Sequence, residues 1–397
     1  MIELEFALIV FGIFLSLAFN FGNGLNDAAN SIATVVATQA LSPGKAILLA
    51  SFFNFVGPFL FSTAIAKTIG AGILQAGTLS VSVLCMALVS SVFFAFFASH
   101  LGIPISTSHA LIGGLIGAGI AASGVSGVLW PDIGAVEATV GYALLGGIIA
   151  SLSYAGIGYY KREDAKRLLL PGFLTGFACT VPLLMVLGIV HISGIFAIIL
   201  FITVSPMLGF LFAYVFALVL MRLFRKADGG KLHTAFEKLQ IIAACGQAVG
   251  HGANDAQNAM GMITALLIAA GMLSTFEVPT WVILASCAAI GSGTLLGGWR
   301  VIRKMAYGIT HIRPYQGFSA SCGGTGVLAL MTIFGISVST THAIAGAIMG
   351  AGTTCGHMAV KWSAVREIVA AWFLTIPFSA LVAYLCYKAF LILTNSL

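Results

Sequence analysis

Apolar segments long enough to cross a bilayer follow one another along almost the whole chain, and this fixes the fold class before any motif is read. A crossing takes about 20 apolar residues in a helix. In hydrocarbon every backbone N–H and C=O must be satisfied within the protein, which a helix does within its own length. The candidate segments are residues 5–40, 44–67, 79–100, 104–122, 137–160, 169–191, 193–221, 239–272, 279–298, 314–334, 337–353 and 365–392, twelve in all. The expected fold is an all-α polytopic membrane protein, multi-pass in the plasma membrane. Charged residues make up only 8% of the chain, against about 25% in a soluble domain. The net charge of +6 collects in connecting segments, chiefly 161–167 and 222–238. That is loop bias and attraction to a lipid surface, not a nucleic-acid-binding face. The seven cysteines show no C-x-x-C spacing and stand in apolar surroundings, as small membrane-helix residues. The first apolar run carries Glu3 and Glu5 instead of a basic leader, so no cleavable signal peptide is expected.

Two polar motifs interrupt this apolar background, and each occurs twice. Gly24-Leu25-Asn26-Asp27-Ala28-Ala29-Asn30 returns as Gly252-Ala253-Asn254-Asp255-Ala256-Gln257-Asn258, 228 residues later. The stretch Gly102–Ala110, with Ser106-Thr107-Ser108-His109, returns as Gly335–Ala343, with Ser339-Thr340-Thr341-His342, 233 residues later. Two matches at nearly one offset imply a structural duplication. Residues 1–160 form the first repeat and 239–397 the second, and 161–238 supply two connecting helices and basic loops. The copies are displaced by an odd number of elements, so they have opposite orientations in the membrane. Lys67 and Arg300, also 233 apart, mark equivalent ends; Arg300 is followed by Arg303, Lys304 and Arg313. The positive-inside rule puts the Arg300 end in the cytoplasm and both termini outside. The Gly-rich stretches at 22–27 and 250–255 are expected to break the two long segments that hold them. Such breaks at equivalent points of two halves point to a transport site. Residues 104–122 and 337–353 either cross or form re-entrant hairpins.

The chemistry follows from what these motifs place in an apolar interior. A carboxylate at the centre of a membrane helix costs about 2.5–3.5 kcal/mol, and Asp27 and Asp255 are the only acids set well inside apolar segments. Ser and Thr at a helix start are N-caps, and such a start binds anions through free N–H groups and the dipole. Two facing starts, Ser106, Thr107, Ser108 and Ser339, Thr340, Thr341, would surround a tetrahedral oxyanion. Hydroxyls also join membrane helices without any ligand, but the duplication favours a site. An anion beside two carboxylates is strongly repelled at low dielectric, and no Lys or Arg is near in sequence, so positive charge must enter with the substrate. Carboxylate and amide oxygens of Asn26, Asp27, Asn30, Asn254, Asp255 and Asn258, with carbonyls of an unwound helix, suit a hard cation such as sodium. A protonated Asp capping its following helix would instead suit proton coupling. His109 and His342 read as packing or hydrogen-bonding residues. Asn54 and Gln247 read as interhelical hydrogen-bond residues, with Gln257 nearer the motif. Ser106 with His109 lacks the oriented acid a nucleophile needs, so no enzyme activity is expected, and no cofactor beyond co-transported sodium.

The paired G-x-N-D-A-x-N and S-T-[ST]-H-A stretches resemble the signature of the inorganic phosphate transporter (PiT) family, of the sodium-dependent phosphate symporter type, over both repeats. The resemblance implies two inverted repeats, a phosphate site between them and a homodimer. It assigns cations to Asn26, Asp27, Asn254 and Asp255, and phosphate to Ser106–Ser108 and Ser339–Thr341. The implied activity is import of inorganic phosphate with sodium by alternating access. A proton-coupled or metal–phosphate permease of the same fold, and a sulfate carrier, are the rivals. Eukaryotic members are similar but carry an acid near the place of Asn54 and a long loop where this chain has 222–238. The whole scheme requires Asp27 and Asp255 to meet away from lipid without basic side chains pairing them.

Overall fold

The computed structural model describes residues 2–162, 164–192 and 194–395; Glu163, in the charged loop at 161–167, and the terminal Met1, Ser396 and Leu397 lie outside the described residues. The chain is all-helical. In order it forms α1 (Ile2–Ala37), α2 (Pro43–Val56), α3 (Ala64–Ala71), α4 (Val81–Leu101), α5 (Thr107–Ser123), α6 (Ile133–Tyr160), α7 (Ala165–Val186), α8 (Gly194–Leu223), α9 (Gly229–Ala269), α10 (Thr280–Leu296), α11 (Trp299–Gly308), α12 (Pro314–Ile333), α13 (Thr340–Thr353) and α14 (Trp362–Asn395). Among the described residues the only β pairing is two isolated bridges, Leu74–Val128 and Thr310–Val360. Starts are set by capping side chains: Ser80, Asp132, Asp164 and Asp228 each accept a backbone N–H of the following turn. Among the described residues seven helices are long and apolar enough to cross a membrane, and the bent pair α10–α11 makes an eighth candidate.

The long helices α1 and α9 pack against each other at the centre, and each receives the broken segment of the other half: α10 lies on α1, and α2 with α3 on α9. Glycines permit this approach. A Cβ on Gly24 would stand 2.2 Å from the Ile290 carbonyl oxygen, and one on Gly252 2.2 Å from that of Asn54. Gly293 and Gly57 return the contact, at 2.0 Å from Phe21 O and 2.3 Å from Val249 O. The motif glycines therefore serve close packing, and α1 and α9 run unbroken through the motifs. This corrects the expected breaks at 22–27 and 250–255. The breaks lie instead in the segments packed on them, at 57–63 and at 297–298, where α10 and α11 meet at 68°. Their freed groups are satisfied, as buried backbone requires: Gly298 N–H donates to Leu25 O (2.7 Å) and Ala66 N–H to Gln257 Oε1 (3.1 Å). These contacts also fix the repeat offset here at 236, from Asn54 to Ile290 and from Leu74 to Thr310. Lys67 thus corresponds to Arg303, one turn beyond the Arg300 that the sequence offset selects.

α4 runs parallel to α1, with Cys85 Sγ 3.3 Å from Leu8 O near one end and Asn26 Nδ2 3.1 Å from Ser99 Oγ near the other. It therefore ends level with the middle of α1. Gly102, at φ +70°, turns the chain, and α5 folds back along α4. Gly335, at φ +67°, does the same between α12 and α13. Segments 104–122 and 337–353 are thus the return arms of two helical hairpins whose tips meet at the centre, the re-entrant alternative that the sequence left open, and they do not cross as separate spans. α5 packs on α14 through Gly113 and Gly117, and α13 packs on α8 through Gly346 and Gly350. So α8, which the sequence places between the repeats, does for α13 what α14 does for α5. α6 and α7 pack mainly on each other and turn exposed apolar side chains such as Leu152 and Leu170 outward.

Candidate functional site

On an unbroken helix, residues three, four and seven apart share a face. Asn23, Asn26, Asp27 and Asn30 accordingly line one face of α1, and His251, Asn254, Asp255 and Asn258 the same face of α9. The two faces meet the hairpin tips. Asn26, Asp27, Asn30, Asn254, Asp255, Asn258, Ser106, Thr107, Ser108, Ser339, Thr340 and Thr341 are all at most 2% exposed. The acids are held by hydroxyls: Thr340 Oγ1 donates towards Asp255 Oδ2 (3.3 Å) and Asp27 Oδ2 (3.5 Å), and Thr341 Oγ1 to Asp27 Oδ1 (3.2 Å). Asn30 Nδ2 donates to both Thr340 and Thr341 Oγ1, each at 3.0 Å. Asn258, its counterpart, donates to Ser108 Oγ at 2.8 Å. Each long helix is thus tied to the hairpin tip of the other repeat. Ser106 and Ser339 accept the N–H groups of His109 (3.3 Å) and His342 (3.2 Å), which makes them the N-caps of α5 and α13.

Two residues of the cluster were not singled out from the sequence. Asn23, with its amide nitrogen turned to the acids, donates to Asp27 Oδ2 (3.1 Å), Asp255 Oδ2 (3.2 Å) and Thr107 Oγ1 (2.8 Å). His251 stands at the equivalent place in α9, with Nε2 3.2 Å from Asp255 Oδ2 and 4.0 Å from Asp27 Oδ2. Its Nδ1 is 3.0 Å from Asn54 Oδ1, and Asn54 Nδ2 donates to Thr294 Oγ1 at 2.8 Å. The signal was available: both precede a motif Asp by four residues, on its own face. His251 also answers the condition that no basic side chain pair the acids. Among the described residues no Lys or Arg reaches Asp27 or Asp255, but a histidine does. Asn54 makes the interhelical bond expected of it.

The donor set fits small cations. Asp27, His251 and Asp255 each offer one ligand atom, all within 4.8 Å of one another. The oxygens Asn26 Oδ1, Asn254 Oδ1, Asn258 Oδ1 and Asp255 Oδ1 are buried without a hydrogen-bond partner, and such orphans are costly unless a ligand completes them. Unwound carbonyls are not on offer, since α1 and α9 are continuous. His109 and His342 pack ring to ring behind the tips, with centroids 4.9 Å apart, and His342 stacks on Trp372 at 3.9 Å.

A helical bundle with two hairpin tips and two central helices converging on buried acids, amides and hydroxyls is a multi-pass membrane transporter. The chain belongs to the phosphate transporter family, whose model matches residues 23–181 and 169–383. It is 37% identical over 97% of both chains to a "probable low-affinity inorganic phosphate transporter" of Rhizobium meliloti, and 33% identical over 94% of both chains to a protein of that name from Bacillus subtilis. A solved structure described as "the sodium-dependent phosphate transporter" superposes with a TM-score of 0.70 over 97% of this chain and 99% of that one. At 24% identity it shows a shared fold.

Proposed function

We propose that the protein imports inorganic phosphate with sodium by alternating access, and that it catalyses no covalent reaction. The observation that carries this is the convergence of the two motif acids with the two hydroxyl-bearing hairpin tips in one buried cluster. Sodium neutralises Asp27 and Asp255, using the amide oxygens of Asn26, Asn30, Asn254 and Asn258. Phosphate then takes the hydroxyls and free N–H groups at the starts of α5 and α13, from Ser106, Thr107, Ser108, Ser339, Thr340 and Thr341. An uncompensated anion beside two carboxylates would be repelled strongly in this interior, so phosphate does not occupy the site well until sodium has neutralised the acids, and that dependence is the coupling. The reciprocal packing of each broken segment on the other half's long helix supports two inverted repeats, 1–160 and 239–397, rocking about the site. Each net positive charge carried inward gains about 2.3 kcal/mol per 100 mV.

One observation favours a second reading. His251 stands 3.2 Å from Asp255 Oδ2, and with both acids it forms a set that a divalent cation could also use. In this reading a proton or a metal–phosphate complex replaces one sodium. Phosphate uptake by purified protein in liposomes, with sodium and pH gradients imposed separately, decides between them. Sodium-driven uptake at uniform pH is expected; uptake that follows the pH gradient and ignores sodium overturns the sodium reading.

A further inference from the structure

Tracing the helices places the basic segments 161–167, 222–238 and 300–313, with Lys45, Lys361 and Arg366, at one end of the bundle. At the end holding the start of α1 the bases are Lys67 and Lys388. Lys388 lies over the Tyr384 ring, 5.7 Å from its centroid. Lys67 is exposed and has no ion partner among the described residues. The nearby acid Asp132 caps α6, accepting Ala135 N–H at 2.9 Å. Lys67 lines an open cavity of about 510 Å³ together with Ala64, Thr68, Trp130, Gly194 and Phe196. That cavity adjoins a hairpin tip: Thr68 Oγ1 donates to Gly335 O at 3.0 Å, and a Cβ on Gly335 would sit 3.1 Å from that of Ala64. The opposite end repeats the arrangement. Gly102 of the other tip abuts Arg300, whose guanidinium donates to His100 O, and one turn further Arg303, the counterpart of Lys67, is exposed and likewise without an ion partner among the described residues.

We infer that the Lys67 cavity is an oxyanion-binding vestibule, which captures phosphate at one mouth of the path before it reaches the buried cluster. The inference rests on the proposed transport of phosphate. A free base at equivalent places over both tips is what a carrier of anions needs at its two mouths. The surrounding surface at this end offers acids instead, in Glu5, Glu137 and Glu277. A single exposed positive charge acts within about 8 Å at physiological ionic strength, so its effect falls on anions that enter this cavity. The same phosphate chemistry is offered by free phosphate and by a lipid headgroup, and the test separates them.

The test is phosphate uptake by wild-type, Lys67→Gln and Lys67→Arg proteins in liposomes of phosphatidylcholine alone, and again with anionic lipid added. In both lipids Lys67→Gln is expected to raise KM for phosphate about three- to ten-fold with little change in maximal rate, and Lys67→Arg to restore it. Raising the salt should narrow the gap. An unchanged KM in Lys67→Gln overturns the vestibule, as does a loss of maximal rate alone. An effect confined to anionic liposomes gives the cavity to a headgroup and overturns phosphate capture. Failure of wild-type uptake in the same liposomes defeats the proposed function itself, and with it this inference.

Discussion

The central face of α1 and that of α9 match at three of four polar positions and differ at the fourth, where Asn23 stands opposite His251. The difference is not isolated. His251 is held by Asn54, which is held by Thr294, whereas the repeat counterparts of Asn54 and Thr294 are Ile290 and Pro58. One half therefore builds a polar chain behind its acid that the other half lacks. The duplicated residues set where charge is stored; the unduplicated ones make the two stores unequal. Asp27 is held chiefly by hydroxyl and amide donors, and Asp255 by an imidazole as well.

The largest effect should come from the acids themselves. Asp27→Asn and Asp255→Asn each remove a charge on which cation binding depends, and each should lower initial phosphate uptake about 100-fold or more, since even partners of a ligand cost 10- to 100-fold. Sodium titration of the residual uptake tells the halves apart. If the stores are unequal, the two variants retain different sodium dependences; wild-type sodium dependence in both would remove the acids as cation ligands.

The next effect tests the packing that brings the halves together. A Cβ on Gly24 or Gly252 meets a backbone carbonyl at 2.2 Å, and backbone moves less readily than a side chain. Gly24→Ala and Gly252→Ala should each destabilise the folded protein by about 1–3 kcal/mol, read as a lower Tm in detergent, whereas a Cβ on Gly250 meets only the Leu328 side chain at 3.4 Å and Gly250→Ala should be nearly neutral. Equal losses at all three positions would return the glycines to helix breaking.

That pair of glycines also shows what the sequence could and could not convey. The all-helical class, the repeated motifs and the convergence of Asp27 with Asp255 followed from hydropathy and duplication, because burying a carboxylate at a cost demands a shared reason. The position of the breaks did not follow. A glycine that allows close approach and one that allows unwinding are the same letter, and only the neighbour, Ile290 O or Asn54 O, decides. Hairpin arms were equally ambiguous, since α5 is as apolar as a crossing helix and differs only in where it starts. His251 escaped because attention to Lys and Arg as partners of an acid passes over the imidazole four residues upstream. Asn23 escaped because its partner Thr107 is far away in the chain.

The smallest of these effects is the most direct test of the inequality. His251→Asn gives α9 the residue that α1 carries at the same place. An amide can still donate to Asp255, as Asn23 does to both acids, so folding and phosphate binding should survive. What is lost is the imidazole that joins Asp255 to Asn54 and, through it, to Thr294. Uptake should fall by about 10-fold, the scale for removing a residue that orients a ligand. The reciprocal Asn23→His places an imidazole beside Asp27, where Ile290 replaces the supporting amide, and should not restore uptake to His251→Asn. Unaltered uptake in His251→Asn would mean that the two acids are equivalent after all and that the polar chain through Asn54 and Thr294 serves packing alone.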